Sequence, residues 1–150
     1  MVKRYITQGN LLMEVNRADG GCWVNLVAPT LEECVQIAQE FQIDLADVRA
    51  APAVDGLVVV AHHAQVVLPR GQGEAYTTIP LGLILVNDVL LTVCAEATPV
   101  LKNFLENTVK EFSTKKQMRF IYQIFLRSCM LYQSYLRIID RKRKEIEAHI

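Results

Sequence analysis

Three histidines are the side chains with the most obvious capacity for metal or acid–base chemistry. His62 and His63 are adjacent, and His149 lies near the carboxyl end of the sequence. Adjacent side chains of a β-strand point to opposite faces, so a strand here would prevent His62 and His63 from chelating one ion. His149 has no second histidine at helical spacing. We therefore assign no metal ligand from the sequence.

The sequence also contains no recognisable motif for nucleophilic catalysis. The sequence lacks G-x-S-x-G, and the glycines of "RGQGEA" (residues 70–75) are too few, and wrongly placed before a helix, to cradle phosphate. A pair of catalytic carboxylates would form in space rather than in sequence, and nothing in the sequence points to one. We predict that the protein is not an enzyme, with no catalytic or cofactor-binding residue assigned.

The cysteines and the amino-terminal segment indicate a cytosolic protein. Cys22, Cys34, Cys94 and Cys129 are scattered, with no C-x-x-C and no zinc-finger spacing. A chain of 150 residues does not need disulfides to fold, so we expect reduced thiols. The opening "MVKRYITQGN" lacks the apolar core of a signal peptide.

Charge gives no reason to expect nucleic acid as a partner. Sixteen basic residues balance sixteen acidic ones, for a formal net charge of zero. The one basic cluster, "RKRK" at 141–144, is flanked by Asp140, Glu145 and Glu147. Mixed charges of this kind are typical of a solvated helix face, which we favour over a nucleic-acid patch.

The most apolar stretch, "TTIPLGLILVNDVLLTVCAE" (residues 77–96), predicts a buried hairpin and not a membrane span. A spanning helix needs roughly 20 consecutive apolar residues. Here threonines, Pro80 and Asn87-Asp88 divide the stretch into pieces of strand length. Asn and Asp suit a tight turn, and apolar runs on both sides indicate strands covered on both faces. Pro80 would mark the start of its strand or a bulge.

Other elements follow from local patterns. "KRYIT", "LLMEV" and "CWVNLVA" predict three short strands. Thr30 and Glu33 have capping-box spacing, which predicts a helix over about 31–41. A second short helix would begin after Asp44, with Asp47 in its first turn. "LVVVAHHAQVV" (57–67) predicts one further strand, and "LPRGQGEA" (68–75) a loop.

After the hairpin the pattern becomes helical. Thr98 and Pro99 have the types expected at a helix start, and Leu101, Phe104, Leu105 and Val109 would share one side of that helix. "KKQMRFIYQIFLRSCMLYQSYLRIIDRKRKEIEAHI" predicts a long helix to the end of the sequence. It carries two apolar lines before Ile139, which indicate burial by the domain on one face and by something else on another. The first line is Met118, Ile121, Phe125 and Tyr132, and the second is Phe120, Ile124, Leu131 and Ile138.

The predicted fold class is therefore α+β with α/β/α layers. We expect a mixed, largely antiparallel sheet flanked by helices and followed by a long carboxyl-terminal helix. The domain would comprise residues 1–112, and residues 113–150 would form the long helix. Beyond Ile139 the helix is too polar to be held by a core.

Three segments carry a resemblance to a known family. They are "WVNLVAPTLEECVQIAQEFQIDL" (23–45), "YTTIPLGLILVNDVLLTV" (76–93) and "FLRSCMLYQSYLRIIDRKRKEIE" (125–147). Their order and spacing resemble the amino-terminal cytosolic domain of CorA-like magnesium and divalent-cation transporters. The sequence departs from the family at two places. The short "APAVDG" (51–56) stands where the family usually has an acidic segment, and His62-His63 stand where aliphatic residues are common.

The resemblance implies a regulatory and assembly domain on the cytoplasmic side of a membrane. In the family this domain forms a homopentamer below its own transmembrane helices, and Mg²⁺ bound by carboxylates between subunits closes the pore. This chain has neither those helices nor their Gly-Met-Asn motif, so it would not transport ions alone. The family's metal ligands do not map here, since Arg49 and Ala50 stand where acids are sought, and capping accounts for Asp44 and Asp47. The alternative is a stand-alone α+β interaction module that dimerises through its carboxyl-terminal helix.

Overall fold

The computed structural model describes residues 1–48, 58–60, 63–72 and 75–149. Asp55 and His62 lie outside the described residues, and so does the remainder of the predicted second helix after Val48. The described residues form seven strands and four helices. The strands are β1 (Val2–Gln8), β2 (Leu11–Val15), β3 (Trp23–Val27), β4 (Val58–Val60), β5 (His63–Gln72), β6 (Ala75–Val86) and β7 (Val89–Cys94). The helices are α1 (Leu31–Phe41), α2 (Leu45–Val48), α3 (Pro99–Leu105) and α4 (Gln117–Ala148).

All seven strands belong to one mixed sheet in the order β2-β1-β3-β7-β6-β5-β4. Strands β3 and β7 are parallel at its centre, and every other neighbouring pair is antiparallel. The predicted hairpin is confirmed, because Val86 pairs with Val89 and both turn residues, Asn87 and Asp88, have positive φ. All six residues of β7 are buried, as expected for a strand covered on both faces.

Helices cover both faces of the sheet, which confirms the α+β class and its layers. One core lies between the sheet and α3 and α4, and it contains Trp23, Phe104 and Phe120. The other contains Ile37 and Phe41 of α1 together with the opposite side chains of β3 and β7. Because side chains alternate along a strand, Trp23 and Asn25 face the first core and Val24 and Leu26 the second.

Helix starts follow the predicted local chemistry. Thr30 and Glu33 form a complete capping box at α1, in which each side chain accepts from the other residue's backbone N–H. The Thr98 hydroxyl accepts from Val100 N–H at α3, where Pro99 occupies the first turn. Asp44 directly precedes α2, and Asp47 lies in its first turn.

The prediction of one strand over residues 57–67 is wrong. The chain forms two antiparallel strands there, with Val60 of β4 opposite His63 of β5. The apolar run concealed the reversal because no Gly, Asn or Pro stands between those two residues.

The predicted loop at 68–75 is also wrong wherever the chain is described, since β5 extends to Gln72 and β6 begins at Ala75. Among the described residues β4 pairs only with His63–Gln65, so no described strand lies beside Pro69 on the side of β5 away from β6, and its missing N–H is tolerated there. Pro80 marks neither the start of β6 nor, in the described pairing, a bulge. It lies within β6, opposite Val67, one residue before the ladder to β7 begins at Leu81.

Helix α3 is shorter than its apolar pattern predicts. It ends at Leu105, so Val109 lies beyond the helix, and Leu105 is itself 39% exposed. Val109 still packs against the first core, and Phe112 joins it there, where its ring packs against Phe104 and Phe120 with centroid separations of 5.0 and 4.7 Å. The sequence pattern predicted a helix beyond Leu105 because the next residues, Glu106 and Asn107, do not by themselves stop a helix. The positive φ of Asn107 does end it here.

Candidate functional site

The residues considered for metal binding do not form a site within the described parts of the chain. His63 begins β5, His149 follows the last residue of α4, and Asp44 and Asp47 lie at the start of α2. No group of three or more His, Cys, Asp or Glu side chains that could hold a metal ion exists among the described residues.

The cysteines occupy separate environments and form no disulfide, and all four belong to the described residues. Cys22, Cys34 and Cys94 are buried, whereas Cys129 on α4 is exposed. Burial raises the pKa of the Cys94 thiol, which is only partly offset by backbone hydrogen bonds from Glu96 and Ala95. A thiol of raised pKa is a poor nucleophile, so Cys94 is suited to packing.

The charged end of α4 is held by ion pairs along its own surface. Arg143 binds Asp140 at 2.9 Å and Glu147 at 2.8 Å, and Lys144 lies 3.2 Å from Asp140. These hydrogen bonds, first that of Arg143, lower the pKa of Asp140. Two of the four "RKRK" side chains thus have carboxylate partners at i,i+3 and i,i+4, the pattern of a solvated helix face. Among the described helices, none is both long enough and apolar enough to cross a bilayer.

Many of the exposed side chains of α4 are apolar, and toward its carboxyl end they border the sheet, where the Tyr132 hydroxyl donates to Val67 O. We call this surface the outer face, and it consists of Met118, Tyr122, Leu126, Met130, Tyr132, Leu136 and Ile139, all exposed. Met118 is 70% exposed, Tyr122 73% and Leu136 62%. Monomeric proteins seldom expose a contiguous apolar surface of this extent, and such surfaces usually mark an interface.

One line of residues along α4 has the spacing of a helix seam, and five of its residues belong to the outer face. Met118, Tyr122, Phe125, Cys129, Tyr132, Leu136 and Ile139 follow one another at intervals of four and three residues. This is the heptad spacing that lets one helix pack along another. Of the two apolar lines predicted from the sequence, Phe120 and Ile124 are buried as expected against the sheet. In the other line Ile121 and Phe125 pack against the core, and Met118 and Tyr132 do not.

A chain of buried hydrogen bonds crosses the sheet between β3 and β7. The Trp23 indole Nε1 donates to the Thr92 hydroxyl at 2.8 Å, and that hydroxyl donates to Asn25 Oδ1 at 3.0 Å. We call these three side chains the polar relay. All three are buried, with Asn25 3% exposed. The sequence contained no sign of the relay, because its members meet only through the parallel pairing of Asn25 with Thr92.

No protein-family model and no curated protein matches the sequence. Similarity appears instead among solved structures. The chain aligns with the soluble domain of CorA from Methanocaldococcus jannaschii at TM-score 0.76 and 14% identity, over 99% of this chain and 63% of that one. The complete CorA magnesium transporter of the same organism aligns at TM-score 0.75 and 14% identity, over 99% of this chain and 50% of that one. The ZntB cytoplasmic domain from Vibrio parahaemolyticus aligns at TM-score 0.72 and 8% identity, over 95% of this chain and 63% of that one.

These alignments cover nearly all of this chain, but the chain spans only 50–63% of the proteins that it matches. Sequence identity of 8–14% is too low to carry any individual residue from one protein to the other. The likeness lies in the arrangement of the elements. The resemblance inferred from the sequence is thereby confirmed at the level of structure: this chain has the fold shared by the CorA soluble domain and the ZntB cytoplasmic domain.

Proposed function

We propose that this chain is the cytosolic assembly and regulatory domain of a CorA-like transporter of divalent metal ions. The domain would lie on the cytoplasmic side of the membrane, would bind copies of itself, and would not conduct ions alone. It would have no catalytic role. The observation that carries the proposal is the fold likeness over 99% of the chain to a structure described as the soluble domain of CorA.

The outer face of α4 supports the assembly part of the proposal. Burying apolar surface is worth roughly 25 cal/mol per Å², so covering several large side chains along a helix supplies a substantial driving force for association. The seven outer-face residues extend over about six turns of α4, from Met118 to Ile139. A partner helix at heptad spacing could bury the five that lie on the seam, Met118, Tyr122, Tyr132, Leu136 and Ile139.

Regulation by magnesium is the finer part of the proposal. Mg²⁺ binds oxygen ligands and keeps several waters, so one or two protein carboxylates are sufficient. No cluster of three or more metal-binding side chains exists among the described residues, and we propose that carboxylates of neighbouring copies form the site together. Asp44 and Asp47, which lie close together in sequence at α2, are the described carboxylates that we propose to test.

Sedimentation of the purified chain with and without millimolar Mg²⁺ tests both parts, with the thermal midpoint measured in the same buffers. A ligand that binds only the folded or assembled state raises its stability. We expect self-association and a Mg²⁺-dependent rise in thermal midpoint that Asp44→Asn and Asp47→Asn reduce. Glu145→Gln on the exposed end of α4 is the matched control. A monomer unaffected by Mg²⁺ would contradict the proposal.

The outer face also favours a second candidate, the stand-alone module that dimerises through its long helix. The two candidates differ in stoichiometry, because a CorA-like assembly is expected to be a pentamer and a helix-paired module a dimer. The same sedimentation experiment separates them by mass. A dimer without a response to Mg²⁺ would favour the stand-alone module.

A further inference from the structure

A cavity lies at the carboxyl ends of the parallel strands β3 and β7, under the start of α3. Its volume is about 280 Å³, near the lower end of the range usual for small-molecule sites. Apolar side chains form most of its walls, among them Val27, Leu101 and Leu105. The edge at which parallel strands end is also where α/β sheets commonly bind ligands.

The polar relay ends in this cavity, and its chemistry sets what the cavity can bind. An indole N–H can only donate, so the Thr92 oxygen must accept from Trp23. The Thr92 proton is then directed to Asn25 Oδ1. The amide NH₂ of Asn25 is left as the terminal donor of the relay, and Asn25 lines the cavity. No acceptor for this NH₂ is found among the described residues, and the nitrogen is not fully enclosed by protein, so a ligand in the cavity could reach it.

Charge at the cavity selects against an ionic ligand. Glu96 and Lys102 are the charged side chains of its lining, and they have opposite signs. Glu96 already pairs with Arg70 at 2.9 Å, and Lys102 with Glu106 at 3.8 Å. The remaining wall contains the buried Cys94, a neutral thiol. A buried ionic group would find no dedicated counter-charge here, whereas a neutral acceptor would satisfy Asn25.

We propose that this cavity binds a neutral, largely apolar small molecule whose carbonyl oxygen accepts a hydrogen bond from Asn25 Nδ2. Apolar cavities of roughly 150 Å³ take benzene, so this volume corresponds to a molecule about the size of two fused rings. The proposal is independent of the assembly role, because the cavity is bounded by β3, β7 and α3 and the outer face belongs to α4. It adds a ligand-binding function to the domain.

The test uses 2-naphthamide, with 2-methylnaphthalene as a probe of similar shape that lacks the acceptor. Binding to the full chain is followed by titration in solution NMR, with the shifts of Asn25 and Leu101 reporting the location. We expect 2-naphthamide to bind roughly tenfold more tightly than 2-methylnaphthalene, as one hydrogen bond to a buried donor provides. Asn25→Leu should remove that preference and leave the two probes with similar Kd values. Glu145→Gln on the exposed end of α4 is the control and should change neither Kd.

A second variant keeps the proposal testable if Asn25→Leu does not fold. Val27→Trp fills the cavity from the half-buried end of β3 and should abolish binding of both probes. Absence of saturable 2-naphthamide binding to the unmodified chain would overturn the proposal. So would a preference for 2-naphthamide that persists in Asn25→Leu, or an unchanged Kd in Val27→Trp.

Discussion

Thr7 and Thr114 bind each other reciprocally across 107 positions of sequence. Thr7 N–H donates to Thr114 Oγ1 at 3.0 Å, and Thr114 N–H donates to Thr7 Oγ1 at 3.1 Å. Both residues are buried. The pairing of β1 with β3 stops at Tyr5, so β3 offers no acceptor for the backbone N–H of Thr7. The Thr114 hydroxyl provides that acceptor. This exchange attaches the segment between α3 and α4 to the sheet.

Replacing Thr114 should therefore destabilise the whole domain. Thr114→Val keeps the shape but leaves the buried Thr7 N–H without an acceptor, which we expect to cost about 1–3 kcal/mol of unfolding free energy. Thr114→Ser retains the oxygen and should cost clearly less. Urea denaturation measures both variants. A larger loss in Thr114→Ser than in Thr114→Val would show that the methyl group, and not the hydrogen bond, matters at this position.

The polar relay should show energetic coupling between Trp23 and Thr92. Thr92→Val leaves two buried groups, the Trp23 N–H and Asn25 Oδ1, without a partner and should cost about 2–4 kcal/mol. Trp23→Phe removes the indole donor. The double variant, Trp23→Phe with Thr92→Val, therefore has no indole N–H that lacks an acceptor. We expect the double variant to be less destabilised than the sum of the single variants by about 1 kcal/mol. Strict additivity in urea unfolding would contradict a shared hydrogen bond.

The capping box predicts a pH dependence at the start of α1. The hydrogen bond from Thr30 N–H, followed by that from the Met1 ammonium, lowers the pKa of Glu33 below its ordinary value of 4.5. A lowered folded-state pKa means that the stabilisation is complete above the unfolded value and is lost as the pH falls through the folded one. The stability difference between the natural chain and Glu33→Gln should be largest near neutrality and shrink below about pH 4.5. Thermal midpoints across this range measure it.

The matched control for that experiment is Glu32→Gln, which changes an acid in the same turn and leaves the capping box intact. Its stability difference should vary much less over the same pH range. If the Glu33→Gln difference stayed constant from neutral to acidic pH, the Glu33 carboxylate would contribute nothing to the cap.

Charge placed on the outer face should block association without unfolding the domain. Leu136→Glu puts a carboxylate in the middle of an apolar seam, which is unfavourable in any packed helix pair. We expect its association constant, measured by sedimentation, to fall at least about tenfold, while the thermal midpoint of the monomer stays nearly unchanged. Ser134→Glu adds the same charge to α4 off the outer face and is the control. Equal association of both variants would exclude this surface as the interface.

Local patterns in the sequence were sufficient wherever neighbouring residues decide the conformation. Thr30 and Glu33 located the start of α1, and Asn87-Asp88 located the hairpin, because caps and tight turns depend on residues a few positions apart. One apolar line of α4 likewise located the side that is buried, at Phe120 and Ile124. The alternation of these elements was enough to predict an α+β fold, and the resemblance to CorA-like domains rested on the same segments.

The sequence failed to predict strands where pairing with a neighbouring strand overrides the conformation that the local residues prefer. The pairing of β5 with β6 keeps Pro69 and Gly71 in a strand that local chemistry would make a loop. The strand reversal between Val60 and His63 carries none of the usual turn residues. Both errors occur where the register with a neighbouring strand determines the backbone.

The sequence by itself determined the starts of α1 and α3, the hairpin turn and the apolar length of α4, since these depend on spacing along the chain. Only the tertiary structure decided which side chains meet. Thr92 and Asn25 are 67 positions apart, and their contact exists because β3 and β7 are parallel neighbours in a particular register. The polar relay, the cavity in which it ends and the exposure of the outer face all follow from that packing, which no local pattern encodes.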